Sequence, residues 1–208
     1  MNLTLIIEKG NDKLLINTHI ILANNILRQA NGKKLYLINK KRFIWGNIKP
    51  DCASKYKFKK HYYDESITMI LDKIKELSSL SVEDIYYSFG KNKFSEELGV
   101  VCHFLCDFFC IPHNQRWEFK HSMKKHVVYE QKLAKFAKLY RFKGYIDSNL
   151  SIDDLEEFIT SHQEKYKEEE SFKNDLSYSY FICNSIINMI LNEVYMNEYA
   201  SQKVVVAY

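Results

Sequence analysis

Hydrophobic residues recur along the chain at three- and four-residue intervals, the spacing that places side chains on one face of an α-helix. The clearest run follows Asp64 and consists of Ile67, Ile70, Leu71, Ile74 and Leu77. Further runs follow Thr18 and Ser95, and the last long run follows Asn174, which is a candidate helix cap. This pattern predicts a bundle of about six helices.

Short polar motifs predict where some helices begin. Ser81 with Asp84, and Ser151 with Asp154, have the spacing of capping boxes with Asp in place of the usual Glu. Pro112 is expected to stop the helix that begins at Ser95. Residues 32–60 have weak periodicity and contain Gly and Pro, so this segment is predicted to be mostly loop.

Composition supports an all-α fold. Six Gly and two Pro in 208 residues exclude collagen-like and low-complexity chains and make a turn-rich β-sandwich a poor fit. No repeat or Pro/Gly-rich linker divides the sequence, so residues 1–208 are expected to form one multi-helix domain. The net charge of +4 is too small to indicate a nucleic-acid-binding protein by itself.

The lack of a recognisable targeting signal favours a cytoplasmic location. The first residues lack the basic start and small-residue cleavage site of a secretory signal. Five cysteines, an odd number, fit reduced thiols. The longest uncharged stretch, residues 176–192, is interrupted by Ser and Asn, so it is expected to be a core helix and no transmembrane segment is predicted.

Two pairs of ionisable residues point to chemistry. His103 and Asp107 lie four residues apart, and His126 and Glu130 repeat that spacing. A single such pair is usually a surface hydrogen bond. The first pair, however, lies within an apolar helix, where polar groups without a partner cost several kcal/mol. A metal cluster is the simplest arrangement that satisfies them.

Other residues of metal-binding type lie nearby in the sequence. His113 follows Pro112, His19 lies at the predicted start of a helix, Asp51 lies in the predicted loop and His61 directly follows it. Imidazole and carboxylate are ligands that zinc accepts. A lone His near a helix start is usually a capping or core residue. Three thiols beside the His103 face are more often packing residues than ligands: Cys102, Cys106 and Cys110.

The spacing of these residues resembles the zinc-dependent phospholipase C family. Leu98-Gly99-x3-His103-x3-Asp107-x5-His113, followed by His126-x3-Glu130, looks like its central motif. Thr18-His19-x3-Ala23 looks like its first motif, and Pro50-Asp51 with His61 looks like its second. The resemblance covers residues 18–130 and implies an all-helical fold with a zinc cluster at the bottom of a cleft.

The resemblance also implies a role for each residue. The expected ligands of one zinc are Asp51, His61, His103 and Asp107. A second zinc would be held by His113, His126 and Glu130, and a third by His19 and Asp107. The family also uses an N-terminal Trp at the third metal, whereas this sequence starts with Met1, so two or three zinc ions are expected.

The expected activity is hydrolysis of a phospholipid head-group phosphodiester by attack of zinc-bound hydroxide, with transient contact to a membrane surface. Zinc lowers the pKa of its bound water to about 7, and Asp51 is the candidate catalytic base. Fungal single-strand nucleases share this zinc scheme, so nucleic acid is the alternative substrate. A non-catalytic, metal-stabilised module is a third hypothesis.

Overall fold

The computed structural model describes residues 12–29, 34–52, 61–117 and 123–206, and these ranges contain α-helices and no strand. The ten helices are α1 (Asp12–Gln29), α2 (Lys40–Gly46), α3 (Lys49–Cys52), α4 (Tyr63–Ser78), α5 (Val82–Tyr87), α6 (Lys91–Phe108), α7 (Ile111–Asn114), α8 (Met123–Ala137), α9 (Leu155–Tyr166) and α10 (Phe172–Val206). A short 3-10 helix covers Leu35–Leu37. The all-α prediction is confirmed.

Helix α6 forms the centre of the bundle, because every residue from Leu98 to Phe108 is buried. Helix α10 packs along it in the opposite direction: Ser179 Oγ donates to the Cys106 carbonyl, whereas Cys183 lies beside Cys102. Helices α1, α2 and α4 cover the remaining sides of α6. Any polar side chain on the C-terminal half of α6 therefore lies inside the protein.

Glycines allow α2 and α6 to approach closely. A Cβ on Gly99 would lie 2.3 Å from the Phe43 carbonyl oxygen and 2.8 Å from the Gly46 Cα. A Cβ on Gly46 would lie 2.0 Å from the Glu96 carbonyl oxygen. Only glycine fits at this crossing, which brings the chain after α2 against the buried part of α6.

Six of the ten described helices have 12 residues or more, namely α1, α4, α6, α8, α9 and α10. These correspond to the bundle of about six helices predicted from periodicity. The capping box of Ser81 and Asp84 is present at the start of α5, and α4 begins at Tyr63, one residue before Asp64. Strong periodicity thus located the long helices.

Several predicted helix starts were wrong. Helix α1 begins at Asp12, so His19 lies inside the helix, and α6 begins at Lys91 instead of Ser95. Ser95 is a buried bridge, since its hydroxyl donates to the Lys91 carbonyl and accepts from the Asn39 amide. Helix α9 begins at Leu155, after the Ser151–Asp154 contact.

Other predicted boundaries also moved. Helix α10 begins at Phe172, with Asn174 in its first turn, and Ser171 Oγ accepts from the Asn174 amide. Helix α6 ends at Phe108, so Pro112 lies inside α7 and does not stop α6. Residue type alone does not distinguish a polar side chain that caps a helix from one that forms a hydrogen bond inside the protein.

The prediction of a mostly loop segment over residues 32–60 was also wrong within 34–52, which contain α2, α3 and the 3-10 helix. Asn39 caps α2, because its Oδ1 accepts from the Lys41 and Arg42 amides at 3.1 and 3.3 Å. In this seven-residue helix only Phe43 and Gly46 are buried. Two buried positions are too few to give a periodic signal.

Within the described part of the chain, no helix is both long enough and apolar enough to cross a membrane. The five cysteines are free thiols, four of them buried.

Candidate metal centre

The buried end of α6 provides the first two residues of the site. His103 is fully buried and Asp107 is 3% exposed. Because they lie one helical turn apart, both side chains face the same side of α6, and His103 Nε2 is 3.1 Å from Asp107 Oδ2. The remaining residues approach this pair from five other segments of the chain.

Asp107 lies at the centre of the cluster. Its Oδ2 is 2.8 Å from His61 Nδ1, just before α4. Its Oδ1 is 3.3 Å from His19 Nε2 on α1 and 3.6 Å from His113 Nε2 on α7. Together with His103, four imidazoles surround one carboxylate. This is the position at which the sequence predicts a ligand shared between metals.

Asp51 completes this side of the cluster. It lies on α3, and its Oδ1 is 3.5 Å from His103 Nε2 and 3.7 Å from His61 Nδ1. Its side chain is 29% exposed, compared with 15% for His61 and none for His103. The cluster therefore opens to solvent at Asp51, and the other end is closed by α6.

A second group lies on the other side of Asp107. Glu130 Oε1 is 2.6 Å from His126 Nε2 and 3.2 Å from His113 Nε2. His126 and Glu130 lie one turn apart on α8, as the sequence predicts, and both point into the bundle. His113 contacts both Asp107 and Glu130, so it connects the two groups.

The arrangement fits zinc. Among the described residues, three groups have ligand atoms within 4.8 Å of one another: His19 with Asp51 and His103, His61 with His103 and Asp107, and His113 with His126 and Glu130. Zinc–nitrogen bonds of about 2.0–2.1 Å place tetrahedral ligand atoms about 3.4 Å apart. The observed separations of 2.6–3.7 Å bracket that value. All eight residues predicted from the sequence occur in these groups.

A backbone contact orients His103. Its Nδ1 lies 2.9 Å from the Asn47 carbonyl oxygen, just after α2. A ring whose Nδ1–H donates to a carbonyl presents its Nε2 lone pair to the cluster, which is how metal-ligating histidines are usually held. The Gly46–Gly99 approach places this carbonyl against α6.

The electrostatics of the cluster favour ionised carboxylates. Burial by itself raises the pKa of Asp107, but the charges of His103, His113 and His19 hold it well below its usual range. Burial likewise opposes ionisation of Glu130, yet hydrogen bonds from His113 and His126 lower its pKa to about 2. These carboxylates remain anionic inside the protein and attract cations.

The neighbouring charged groups also shift the pKa of His19. Burial and the neighbouring His103 lower its pKa, whereas the charge and hydrogen bond of Asp107 raise it, and the net result is a rise to about 9. In the metal-free chain, a proton on His19 therefore partly balances the charge of Asp107. A divalent cation at this position balances more charge than a proton does.

Two supporting contacts were not predicted from the sequence. Arg116, whose φ is 54°, lies just after α7, and its guanidinium contacts Asp64 and Glu65 at the start of α4. It thereby ties the chain near His113 to the chain near His61. The second contact is the Asn47 carbonyl. Neither has a local sequence signal, because one joins residues far apart in the chain and the other is a backbone atom.

A buried carboxylate also lies behind the second group. Asp175 on α10 accepts from Tyr129 Oη at 2.8 Å and from Tyr166 Oη at 2.7 Å. Burial raises its pKa to about 6 against these hydrogen bonds. Since Tyr129 precedes Glu130, Asp175 fixes the turn of α8 that carries Glu130.

An all-α bundle with histidine and carboxylate side chains gathered in its interior defines a class of helical metal-site proteins. Comparison with family sequence models narrows this class: the zinc-dependent phospholipase C family matches residues 18–173. The chain belongs to this family. Searches of curated proteins and of solved structures found no match.

Proposed function

We propose that this protein is a zinc-dependent phosphodiesterase of phospholipase C type that hydrolyses the head-group phosphodiester of a phospholipid. The observation that carries the proposal is the convergence of five imidazoles and three carboxylates from six chain segments on one buried cluster, with separations suited to zinc. Membership of the family supports the lipid substrate. The cytoplasmic location stays a prediction.

In the proposed assignment the residues keep the roles that the resemblance to the family implies. One zinc is held by Asp51, His61, His103 and Asp107. A second is held by His113, His126 and Glu130. A third is held by His19 and Asp107.

The ligand set leaves a net positive centre. Asp51, Asp107 and Glu130 contribute three negative charges, whereas two zinc ions carry four positive charges and three carry six. When bound, zinc supplies a water of lowered pKa and polarises phosphoryl oxygens. An anionic phosphodiester is therefore attracted to the open side of the cluster.

The chain's own residues position the reaction. Asp51 is the carboxylate at the solvent-exposed edge, so it is placed to accept a proton from the attacking water. His103, fixed by the Asn47 carbonyl, and Asp107, enclosed by imidazoles, form a rigid wall opposite that edge. Rigid ligands reduce the reorganisation required in the transition state.

The test measures zinc content and hydrolysis together. Protein purified without chelator is analysed for zinc per chain, then assayed on bis-p-nitrophenyl phosphate and on dihexanoyl phosphatidylcholine. We expect two or three zinc ions and release of phosphocholine. His113→Ala or Glu130→Ala is expected to lose one zinc equivalent.

A matched variant outside the cluster is His162→Ala, on α9, which should retain zinc and activity. Hydrolysis of bis-p-nitrophenyl phosphate and single-stranded DNA, without hydrolysis of the lipid, would favour the nuclease alternative. Full zinc occupancy without hydrolysis of any phosphodiester would favour the non-catalytic module. Unchanged zinc content in His113→Ala would refute the assignment of the second site.

A further inference from the structure

A second cavity lies on the far side of α10 from the metal centre. Its volume is about 500 Å³, which is within the range of small-molecule sites. Its lining includes six aromatic side chains, called the aromatic wall below: Tyr140, Tyr145, Tyr178, Tyr180, Phe181 and His162. The hydrolysis proposed for the metal centre does not involve these residues.

Helix α10 separates this cavity from the cluster. Asp175, Leu176 and Ser179 line a small cavity that His19 and Asp107 also line. Ser177, Tyr178 and other residues on a different face of α10 line the larger cavity. The two sites therefore share a helix and lie on different faces of it.

Three lysines supply positive charge at the larger cavity. Lys143, Lys165 and Lys173 line it, and no Asp or Glu does. Within the described part of the chain, none of these ammonium groups forms an ion pair. Burial raises the pKa of Tyr178, and the charges of Glu168 and Glu169 raise it further, so acidic residues near this cavity reduce its positive potential.

Internal hydrogen bonds fix the positions of the polar groups that lie among the aromatic rings. Tyr140 Oη and Ser177 Oγ are hydrogen-bonded at 2.7 Å, and Ser177 Oγ also donates to the Lys173 carbonyl. His162 Nδ1 lies 2.7 Å from the Phe158 carbonyl oxygen, which directs its other nitrogen away from the helix backbone. The wall is therefore mostly apolar with a few fixed polar atoms, the usual character of a site for an amphiphilic ligand.

We propose that this cavity binds a phosphate monoester that carries an apolar body. Three ammonium groups match the charge of nearly two on a phosphate monoester better than the single charge of a carboxylate. The aromatic wall provides the surface against which the apolar part packs. A phosphorylated lipid and a soluble organic phosphate share this chemistry, and the experiment distinguishes them.

The test is calorimetric titration of the zinc-loaded protein with monomeric dihexanoyl phosphatidic acid and, separately, with glycerol 3-phosphate. We expect phosphatidic acid to bind at least about tenfold more tightly than glycerol 3-phosphate, because only the former has an apolar body. Equal affinities would overturn the proposed role of the aromatic wall.

Lysine substitutions test where phosphatidic acid binds. Lys165→Ala combined with Lys173→Ala is expected to weaken phosphatidic acid binding about tenfold. The matched control, Lys40→Ala with Lys41→Ala, removes the same charge from exposed positions on α2 and should bind as the unaltered protein does. Both double variants should retain zinc and bis-p-nitrophenyl phosphate hydrolysis.

Two outcomes would overturn the proposal. Equal weakening in the two double variants would indicate only a general charge effect. Binding that survives the Lys165/Lys173 change and disappears when zinc is removed would assign the phosphate to the metal centre. Neither outcome bears on the hydrolase activity, which is measured independently.

Discussion

Carboxylates at the two ends of helix α6 have different partners. Near the start, Glu96 pairs with Lys49 and Arg42, and Glu97 pairs with Lys73. Near the end, Asp107 is surrounded by imidazoles and contacts no Lys or Arg among the described residues. Lysine and arginine side chains neutralise the first end, whereas a proton on His19 balances the second end only in part.

The difference separates a structural site from a ligand-binding one. An ion pair made by the chain needs nothing from outside, whereas imidazoles balance a carboxylate only when they carry protons. At neutral pH an imidazole is ordinarily a neutral ligand that a metal can use. The end of α6 at which Asp107 has no lysine or arginine partner among the described residues is therefore the end at which zinc is expected.

Removal of zinc should produce the largest effect. A chelator is expected to abolish phosphodiester hydrolysis and to lower the melting temperature. Each site saturated at about 100 times its dissociation constant contributes about 2.7 kcal/mol, and each kcal/mol shifts the melting temperature of a chain this long by about 2–4 °C. Calorimetry with and without chelator measures the shift. A melting temperature that chelation leaves unchanged would contradict a structural contribution of the cluster.

The stability of the metal-free protein should depend on pH because of His19. The pKa of His19 rises from 6.5 to about 9 on folding, so its protonation stabilises the fold fully below pH 6.5 and that stabilisation is lost between pH 6.5 and 9. The metal-free protein should thus melt at a lower temperature at pH 9.5 than at pH 6.5. With zinc bound, this dependence should shrink, because metal replaces the proton. Thermal melts across this range measure both forms.

Neutralising one carboxylate at each end of α6 tests the comparison directly. Asp107→Asn should lose at least one zinc ion and reduce hydrolysis about a hundredfold or more, since metal stabilisation of the transition state amounts to several kcal/mol. Glu97→Gln is the matched change in the same helix. It should keep its zinc and lose only about 1–3 kcal/mol of stability, because Lys73 then lacks its charged partner. Zinc analysis of both variants decides the matter. Equal zinc content in the two variants would contradict the proposed difference between the two ends of α6.

The close crossing of α2 and α6 lies between the two ends of α6 and places the Asn47 carbonyl beside His103. Gly99→Ala would place a Cβ against backbone atoms of Phe43, Gly46 and Asn47, which cannot move independently. We expect a loss of about 1–3 kcal/mol and, because the Asn47 carbonyl shifts from His103, a zinc affinity lower by about tenfold or more. Denaturant unfolding and zinc titration measure these effects.

Gly144→Ala is the control for this substitution. Its Cβ would meet only the flexible side chain of Gln29, so the change in stability should stay within about 0.5 kcal/mol. If Gly99→Ala were equally mild, the tight crossing would have no role in holding the site.

The ligand residues could be predicted from the sequence because their spacing reflects helix geometry. His103 with Asp107, and His126 with Glu130, lie one turn apart and face inward, as predicted. The apolar surroundings of His103 also indicated burial, which the structure shows. Where a feature depends on one helix and its own periodicity, sequence is sufficient.

Features that join distant segments could not be predicted in this way. The short helices α2 and α3 bury too few residues to give a periodic signal, although α3 carries Asp51. The contact of Arg116 with the start of α4 joins residues 51 positions apart. That residues 1–208 form one domain, and that the eight residues bind zinc, remain proposals.

The smallest effect is expected from the cysteines behind the cluster. Cys106 is 4% exposed, and its Sγ lies 3.8 Å from that of Cys183. The hydrogen bond with Cys183, together with burial, raises the pKa of Cys106 well above its usual range, so the thiol stays protonated and is a poor zinc ligand. Cys106→Ala should therefore keep full zinc content and activity while losing about 1 kcal/mol from a small cavity. Cys183→Ala should behave alike, since the two side chains pack together. Loss of one zinc equivalent in Cys106→Ala alone would make this thiol a ligand and extend the metal centre along α6.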